Sequence, residues 1–505
     1  MWKCGLRPIR QTTLGGWEQA AIAPRSPMER NAHVLVKVFG LLRIVHGTYA
    51  FAMTPRISRR SFLKATLAAG AAPLILPSRL WSAETAANDR INIAQIGVGK
   101  QGHYHLPAFI GNSSVQVVAV CDVDGTRRND GKNIVERGYA KKKDGEPYKG
   151  CDTYSDFREV LARKDVDAVV IVTPDHWHAP IAIAACNAGK DIYCEKPLTN
   201  TVHEAKALID TVRSTNRVFQ TGSQQRSTRE FRVACELVRN GVIGKVSKVM
   251  AGFGGPGKAC DLPEETVEPG LDWDMWLGPA PFRPYNPILS PRGVHDFFPK
   301  WREYWEYGGG YVTDWGAHHM DIAQWGLGVD ASGPTEIIPP SDWQTAKAGA
   351  KAIYAGGVEL EHIEQNGVTF FGDRGTIYVN RGVCQFIIDG KEVALFKAAK
   401  NANPPETPLK DQLDAVEKEF LTDAKVKLYH SDDHKTDWIS CIRSRQRPIA
   451  DVEIGAHSVI ACHLLNFGYR YGQSFKWNGE KMDFADGTGN AAWLTREYRD
   501  PWKVA

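Results

Sequence analysis

The stretch from Ile91 to Asp122, INIAQIGVGKQGHYHLPAFIGNSSVQVVAVCD, decides the fold of this chain. It begins with a short β-branched run, residues 91–96, which predicts a buried strand. A glycine-rich turn with the spacing G-x-G-x-x-G follows, then a helical pattern, and then a second apolar strand that ends at Cys121. This order predicts the first βαβ unit of a dinucleotide-binding parallel sheet.

The three glycines of the turn have separate tasks in such a unit. Gly97 permits the tight turn, Gly99 lets the backbone approach a pyrophosphate, and Gly102 lets the helix pack closely on the strand. The helix then presents free N–H groups and a positive dipole end to the phosphates. The alternative is a glycine-rich turn without a nucleotide, and the position of the turn between two strands argues against it.

Asp122, at the end of the second strand, indicates which nucleotide binds. Its carboxylate can accept hydrogen bonds from both ribose hydroxyls and would repel a 2′-phosphate, so the sequence predicts NAD as the cofactor. Arg127 and Arg128 lie shortly downstream and keep NADP open as the alternative. Asp122 could instead cap the N-terminus of the next helix.

The composition is that of an ordinary globular protein with room for two domains. The chain has 505 residues, 43% of them hydrophobic, and a net charge of +4, which leaves no basic footprint for nucleic acid. The ten cysteines include no C-x-x-C pair and are expected to be small buried side chains. No metal site is predicted, because the histidines around residues 176 and 318 lack a metal-binding spacing.

The N-terminus carries an export address. Arg59-Arg60 is followed by SFLK, by an apolar segment from Ala65 to Leu76, and by small residues around 83–87. This pattern is typical of a twin-arginine signal, and the apolar segment is shorter than the roughly 20 residues that span a bilayer. We therefore expect a periplasmic protein that the bacterial twin-arginine translocase exports.

The position of the signal also indicates where translation starts. Signals of this kind begin near the start, and Met53 lies just upstream of the arginine pair. We expect residues 1–52 to be a mis-called extension and residues 53–88 to be the signal peptide. No fold is predicted before about residue 87.

Alternating strands and helices predict an NAD-binding domain over residues 89–222, built on a doubly wound parallel sheet. The segments Thr173-Pro174 and Glu195-Lys196 each follow a predicted buried strand directly. Ligands of such sheets bind beyond the carboxyl ends of the strands, where both segments and the glycine turn lie.

The rest of the chain predicts a second, α+β domain over residues 223–432. Short strands separated by glycines between residues 351 and 388 predict an open, largely antiparallel sheet. Residues 262–306 are rich in Pro and Trp and have little regular pattern, which in a compact domain favours a functional segment. Residues 433–480 are expected to be helical, and residues 481–505 form a tail expected to be irregular.

The segment DWGAHHMD carries a candidate acid–base pair. Asp314 and His318 are four residues apart, so on a helix they lie on one face and can touch. A carboxylate beside an imidazole stabilises its protonated form, which suits a base that takes a hydroxyl proton as hydride leaves carbon. His318 could instead be structural, as we expect for His319, and Asp321 is either a supporting partner or a plain helix charge.

Four motifs resemble those of the glucose-fructose oxidoreductase and inositol dehydrogenase type of enzyme, the Gfo/Idh/MocA family. They are GVGKQG at 97–102, CDVD at 121–124, TPDHWHAPIA at 173–182 and CEKPL at 194–198. The resemblance extends over about residues 89–480. The export signal and the long Trp-rich insertion depart from it.

The resemblance implies roles for several side chains. Lys196 would lie beside the nicotinamide and the reacting hydroxyl, presented by Pro197 through what could be a cis bond. His318 would be the general base, and Asp314 would bind and orient the substrate. Besides the glycines and Asp122, the cofactor contacts would include Thr173, Pro174, His178, Glu195 and Lys196.

The resemblance also implies assembly and substrate class. In this family the antiparallel sheet often supports an oligomer, so a homodimer or homotetramer is expected, and the C-terminal helices pack back on the nucleotide domain. The usual substrates are sugars and cyclic polyols. The aromatic residues between 273 and 315 agree with this, because flat apolar faces suit sugar rings, although some of them must be core.

Export shapes the predicted mechanism, because little free NAD is expected outside the cytoplasm. The sequence therefore predicts an NAD-dependent oxidoreductase for a sugar or polyol whose cofactor is tightly bound and recycled in place. An NAD-dependent glycosidase or lyase that oxidises a ring carbon transiently is the alternative. A non-catalytic NAD or sugar sensor is a third class, which the presence of both Lys196 and His318 disfavours.

Overall fold

Residues 89–397 and 408–503 are described by the structure, a computed structural model. The twin-arginine segment, the expected start at Met53 and residues 1–52 lie outside the described residues, so the structure does not bear on those predictions. Within the described ranges, no helix combines the length and the apolar character needed to cross a membrane.

The first half of the described chain forms a six-stranded sheet in which every pair of neighbours is parallel. Its strands are Ile91–Ile96 (β1), Val115–Cys121 (β2), Asp152–Tyr154 (β3), Ala168–Ile171 (β4), Asp191–Cys194 (β5) and Phe219–Thr221 (β6). Its helices are Lys100–Gly111 (α1), Gly125–Lys142 (α2), Phe157–Ala162 (α3), His178–Asn187 (α4) and Val202–Thr215 (α5). The spatial order β3-β2-β1-β4-β5-β6 confirms the predicted doubly wound fold.

The start of α2 settles one alternative that the sequence left open. The carboxylate of Asp124 accepts hydrogen bonds from the backbone N–H groups of Thr126 at 2.8 Å and Arg127 at 3.1 Å. Asp124 is therefore the N-cap of this helix. Asp122, two residues earlier, is free of that task and lies at the edge of the strand.

The second half builds a ten-stranded sheet that is antiparallel except where β7 and β10 run side by side. Its strands are Val246–Gly252 (β7), Glu336–Ile338 (β8), Lys351–Ile353 (β9), Glu359–Ile363 (β10), Gly367–Gly372 (β11), Gly375–Asn380 (β12), Val383–Ile388 (β13), Lys391–Lys397 (β14), Phe475–Asn478 (β15) and Asp483–Ala485 (β16). The helices in this half are Arg229–Arg239 (α6), Trp273–Leu277 (α7), Tyr311–Asp314 (α8), Gly316–Leu327 (α9), Leu409–Phe420 (α10), His434–Ser444 (α11) and Val452–Tyr471 (α12). The predicted second sheet is confirmed.

One face of this sheet is buried under helices. Val368 and Phe370 of β11 alternate with half-buried Thr369, the pattern of a strand that is covered on one side. Phe370 packs on Gly326 of α9 so closely that a Cβ at that glycine would come within 2.5 Å of the ring. The opposite face of the sheet carries the half-buried side chains.

The C-terminal helices contact the parallel-sheet half. Trp438 of α11 is fully buried, and its ring lies edge-on to Phe109 and Tyr193 with centroids 5.8 Å away in each case. In α12, Gly455 lets the helix approach Thr221, since a Cβ there would come within 2.2 Å of the threonine hydroxyl. These contacts pack both C-terminal helices against the first sheet and its helix α1.

The Trp-rich insertion, residues 262–306, has little regular structure beyond α7 and a short 3₁₀ turn at Lys300–Glu303. It has an aromatic core of its own, in which the rings of Trp273 and Trp276 stack with centroids 4.6 Å apart. The insertion is attached to the nucleotide half by a hydrogen bond of 3.0 Å from the Asp272 N–H to the Val123 carbonyl.

The tail was expected to be irregular, and this expectation is wrong in part. Strand β16 extends the second sheet, and the side chains of Arg496 and Tyr498 donate hydrogen bonds to Glu204 at 2.8 Å and 3.0 Å. Trp502 packs edge-on against Trp177 with centroids 4.9 Å apart. The tail is anchored by individual side chains that contact residues far away in the sequence. Such contacts produce no periodic sequence pattern from which the structure of the tail could be predicted.

Candidate active site

A cavity opens at the carboxyl ends of β1, β2, β4 and β5, and both halves of the chain line it. The nucleotide half contributes the glycine turn, Asp122, Thr173-Pro174 and Glu195-Lys196. The other half contributes the insertion, Asp314, His318 and the turn that follows β12. The structure therefore brings most of the predicted site residues to one place, as expected for strand ends of such a sheet.

The glycine turn has the shape that a dinucleotide requires. Gly97 has a φ of 97°, and a Cβ there would come within 2.4 Å of the Val172 carbonyl oxygen. A Cβ at Gly102 would come within 2.7 Å of the Gly97 oxygen, whereas one at Gly99 would meet no atom within 4 Å. The first and third glycines are thus needed for packing, and the second leaves open space for a close ligand.

Asp122 is held at the edge of the cavity by two backbone groups. Its Oδ2 accepts a hydrogen bond from the Val98 N–H at 2.7 Å, and its Oδ1 accepts one from the Asp124 N–H at 2.9 Å. Burial raises the pKa of this carboxyl, while the charge of Arg127 and these hydrogen bonds act in the opposite direction. Two hydrogen bonds thus fix this carboxyl at the end of β2, the place where an acidic residue binds the ribose in dinucleotide-binding sheets of this kind.

The two arginines that left NADP open both have hydrogen-bond partners within the protein. Arg127 donates to the Gly293 carbonyl at 3.1 Å, to the Ser290 hydroxyl at 3.2 Å and to the Pro291 carbonyl. Arg128 donates to the Asp122 carbonyl at 2.6 Å. Arg127 thus holds the insertion over the cavity instead of presenting a free fork to a 2′-phosphate, which favours NAD.

Glu195 is a buried carboxylate next to Lys196 in the chain. Its Oε1 lies 2.8 Å from the Nε2 of His105 and 3.3 Å from the amide nitrogen of Gln101. Burial acts to raise its pKa, but the hydrogen bond to His105 and the charges of His105 and Lys196 outweigh it and lower the pKa to about 2. Glu195 therefore carries a fixed negative charge at the end of β5.

The loop after Glu195 is tied to the neighbouring strand end. The Lys196–Pro197 bond is cis, in line with the role that the family resemblance implied. The ring of His178 lies 2.7 Å from the Pro197 carbonyl oxygen through Nδ1 and 2.9 Å from the Thr173 carbonyl oxygen through Nε2. His178 thus fixes the lysine loop relative to Thr173-Pro174.

Lys196 and Asp314 meet across 118 residues of sequence. The Nζ of Lys196 lies 2.7 Å from Oδ1 of Asp314 and 2.8 Å from its carbonyl oxygen. The Nε of Arg302 lies 3.7 Å from the same carboxylate oxygen. Burial acts to raise the pKa of Asp314, but the charges of Lys196 and Arg302 outweigh it, so the pKa is lowered and the carboxylate stays ionised.

The expected contact between Asp314 and His318 is not formed. Among the described residues no hydrogen bond or ion pair joins them, because the carboxylate is taken by the charged groups of Lys196 and Arg302, which bind an anion more strongly than a neutral ring does. The Nδ1 of His318 is buried without a partner. Burial, followed by the charge of Lys196, lowers its pKa well below the usual value, so the ring is neutral at physiological pH.

The neighbouring candidates are structural, each with its own partner. The Nδ1 of His319 lies 2.6 Å from the Gly252 carbonyl oxygen. Asp321 accepts hydrogen bonds from Arg226 at 2.8 Å and from Ser458 at 2.8 Å, deep in the core. His176 contacts the Trp276 carbonyl oxygen at 2.9 Å through Nε2. In the ranges that the structure describes, no cluster of three or more metal-ligating side chains is present.

Three further side chains line the cavity, and sequence reasoning did not single them out. Asp175 lies in the TPDHWH motif; burial raises the pKa of its carboxyl well above the usual value. Arg302 stacks on Trp301 of the insertion with its guanidinium 4.2 Å from the ring centroid. Arg381 lies in the turn after β12. A motif contains the first, but no local pattern marks the two arginines.

Two family descriptions match the chain in succession. "Oxidoreductase family, NAD-binding Rossmann fold" matches residues 91–223, and "Oxidoreductase family, C-terminal alpha/beta domain" matches residues 237–504. The chain belongs to the Gfo/Idh/MocA oxidoreductase family. A third description, the twin-arginine translocation pathway signal sequence, matches residues 56–75 and confirms the predicted signal. The family membership confirms NAD as the cofactor type of the first sheet.

Curated relatives of the chain include two Shewanella proteins. The "Glycosyl hydrolase family 109 protein" of Shewanella putrefaciens is 32% identical over 215 residues, which cover 38% of this chain and 44% of the relative. The "Alpha-N-acetylgalactosaminidase" of Shewanella oneidensis is 33% identical over 161 residues, which cover 31% of this chain and 33% of the relative. The chain thus spans less than half the length of these relatives.

Solved structures share the fold. The aldose-aldose oxidoreductase of Caulobacter crescentus, complexed with glycerol, has a TM-score of 0.50 at 17% identity and covers 77% of this chain and 99% of its own. A levoglucosan dehydrogenase in complex with NADH and levoglucosan has a TM-score of 0.50 at 18% identity with the same coverage. At these identities the likeness concerns the fold.

Proposed function

We propose that this protein oxidises a CH–OH group of a sugar or cyclic polyol with tightly bound NAD that is regenerated in place. The observation that carries the proposal is the ion pair between Lys196 and Asp314, inside the cavity that also contains the glycine turn and Asp122. It places an ammonium group and a carboxylate beside the strand ends where a nucleotide binds. A hydroxyl that reacts there meets both a cation and an acceptor.

The residues present fit the cofactor. Gly99 leaves open space beside the turn, the carboxyl of Asp122 faces the cavity edge, and Arg127 is occupied by the insertion. NAD bound in this place supplies the hydride acceptor. The side chains of the protein bind the substrate and handle its proton.

Each predicted catalytic residue then has a role that its contacts support. Lys196 stabilises the negative charge that develops on the hydroxyl oxygen as its proton leaves. Asp314 orients Lys196 and accepts a hydrogen bond from a second substrate hydroxyl. The neutral ring of His318 takes the proton at Nε2, since its Nδ1 is buried. The oxygen thus loses a proton while its carbon loses a hydride.

The insertion supports tight retention of the cofactor. Leu289, Pro291 and Trp301 of the insertion line the same cavity as residues of the glycine turn. Arg127 fastens this segment to the nucleotide half through three hydrogen bonds. Loss of the cofactor requires the segment to open, which slows dissociation and suits a protein exported to the periplasm, where NAD cannot be replenished.

A second candidate is an NAD-dependent glycosidase or lyase that oxidises a ring carbon transiently. Relatives named glycosyl hydrolase family 109 favour it. So does Asp175, because burial raises the pKa of its carboxyl well above the usual value. A protonated acid in the same cavity can donate its proton to a departing glycosidic oxygen.

The test starts from protein purified out of the exported fraction, with no cofactor added. Sugars and polyols are added singly and in aldose–ketose pairs, and the near-ultraviolet absorbance of NADH and the products are followed. Reduction of the bound cofactor by one partner and its reoxidation by the other supports the proposed oxidoreductase. Release of an aglycone from aryl glycosides without net redox change supports the second candidate. Neither signal with any compound contradicts both.

The location and assembly are part of the proposal. The signal at residues 56–75 supports export through the twin-arginine translocase to the periplasm. The half-buried face of the ten-stranded sheet supports a homodimer or homotetramer. Fractionation of cells and light scattering of the purified protein test these two points separately.

A further inference from the structure

Arg381 is a cation of the cavity that the proposed reaction does not use. It lies in the turn between β12 and β13 and lines the cavity together with Lys196 and His318. In the described part of the chain, no carboxylate lies within ion-pair distance of its guanidinium. The carboxylates whose charge reaches it, Glu195 and Asp314, are already engaged by His105 and Lys196.

The guanidinium of Arg381 is held in a fixed plane. It lies over the ring of Trp315 with 4.7 Å between its central carbon and the ring centroid. With the side-chain amides of Gln224 and Gln225 turned so that their oxygens face it, Nη2 and Nε each donate a hydrogen bond of 3.1 Å. These contacts use one edge of the planar fork, so Nη1 and the second hydrogen of Nη2 remain for a ligand.

The free edge of this fork matches a particular chemistry. Two parallel N–H groups of a guanidinium fit the two oxygens of a carboxylate, and this geometry distinguishes arginine from lysine. Lys196 and Arg302 are further cations that line the same cavity. A neutral sugar would leave the Arg381 guanidinium without a directly bound anion when it displaces water from the cavity.

We propose that the substrate is an acidic sugar, a uronate or aldonate, whose carboxylate binds to Arg381 while its reacting hydroxyl lies between Lys196 and Asp314. This assignment rests on the proposed function for the identity of the reacting group. A sugar sulfate presents similar anionic oxygens, but the carboxylate is planar like the fork, and the experiment separates the two.

The experiment uses the NAD-loaded protein and matched ligands: galacturonate against galactose, glucuronate against glucose, gluconate against glucitol, and galactose 6-sulfate. Calorimetry measures binding, and NADH absorbance measures hydride transfer. At least one carboxylate is expected to bind about 10- to 100-fold more tightly than its neutral counterpart, the range for a bidentate charged contact. Arg381→Gln should remove that advantage, so that the acid no longer binds more tightly than its neutral counterpart.

Arg374→Gln is the matched control, because Arg374 lies in the preceding turn of the same sheet and pairs with Asp389 on the surface. It should keep the preference for the acid. The proposal is overturned if no acid binds better than its neutral partner, if the preference survives Arg381→Gln, or if the sulfate is preferred to every carboxylate.

The two proposals fail in different ways. An acid that binds through Arg381 but never reduces the cofactor supports the acidic ligand and contradicts the oxidoreductase. A neutral sugar that reduces the cofactor while acids are ignored supports the oxidoreductase and overturns the acidic substrate.

Discussion

The two ends of the cavity differ in how the chain builds them. At the nucleotide end, the glycine turn and Asp122 belong to one βαβ unit, and backbone groups of neighbouring residues fix them. At the substrate end, Lys196, Asp314 and Arg381 come from distant parts of the chain and meet only through the tertiary fold. A short sequence motif is therefore enough to predict the cofactor. The residues proposed to bind the substrate are found only from contacts in the folded structure.

The two ends also differ in their charge balance. At the nucleotide end, Arg127 is satisfied by oxygens of the insertion, and Glu195 faces His105. At the substrate end, Lys196 and Arg302 share Asp314, and Arg381 has no carboxylate partner in the described residues. Under the proposed function, the first arrangement would close the site around the cofactor, and the second would leave a cation available to an incoming ligand.

The sharpest way to separate the two ends is Lys196→Ala. Turnover should fall by about 100- to 10,000-fold, because the charge that stabilises the developing oxyanion is lost. The nucleotide content per chain should stay at the wild-type level. Exposed Lys164 supplies the control, and Lys164→Ala should change neither quantity. Unchanged turnover in Lys196→Ala would remove the catalytic assignment.

Acid should act on both halves of the molecule alike. Burial lowers the pKa of His176, His362 and His434 to about 3 and that of His319 and His463 to about 4. An unfolded chain protonates these rings near pH 6.5, so the stability they contribute is present above that pH and is lost as the pH falls toward 4. Below pH 6.5, each of these histidines then lowers the free energy of unfolding by about 1.4 kcal/mol per pH unit.

Thermal melting between pH 7.5 and 4.5 measures this effect. The melting temperature should begin to fall near pH 6.5. A melting temperature that stays level down to pH 5 would show that these rings are not buried as neutral groups. Because Glu195 has a pKa of about 2, its charge stays in place throughout this range.

Arg127→Ala should weaken the nucleotide end alone. The insertion loses three hydrogen bonds to the nucleotide half, so NAD should dissociate about 10- to 100-fold faster. Dilution of the loaded protein into a nucleotide-scavenging enzyme follows the release. Arg137→Ala is the control, since the hydrogen bond that Arg137 makes within the described residues goes to the Asn133 carbonyl on its own helix. Equal release rates for both variants would show that the insertion does not retain the cofactor.

Trp502→Ala should have the smallest effect, because Trp502 does not line the cavity itself and reaches it only through the rings of Trp177 and Phe157. Its ring packs on Trp177 and under the guanidinium of Arg158, and it is half-buried. Truncation should lower the free energy of unfolding by about 1–2 kcal/mol, less than for a fully buried Trp. Denaturant melts measure it. A loss of bound NAD in this variant would mean that the tail belongs to the nucleotide end after all.

The sequence predicts the nucleotide end well because its signals are local. Gly97, Gly99 and Gly102 are spaced as the turn requires, and the parallel strands are continuous apolar runs. The sequence does not reveal the pairing of Lys196 with Asp314, since two motifs far apart in the chain must meet for it to form. The sequence predicted that Asp314 contacts His318 on the same helix. In the structure the partner of Asp314 is Lys196, which belongs to the nucleotide half.

The sequence also did not predict the position of Arg381 or the anchoring of the tail, because both depend on contacts between residues far apart in the chain. Arg381 stands in an ordinary hairpin turn, and the tail holds its place through Arg496 and Trp502, one side chain at a time. The sequence also could not assign roles to the individual aromatic residues between 273 and 315. The structure places Trp273 in the core and Trp315 beside Arg381.

The most direct test of the account is the amount of nucleotide that the exported, purified protein releases on denaturation, measured by absorbance and mass. We expect close to one NAD or NADH per chain, with none of the protein's activity depending on added cofactor. A protein without nucleotide that needs NAD from solution would contradict the closed cofactor site. Release of NADP would contradict the roles given to Asp122 and Arg127.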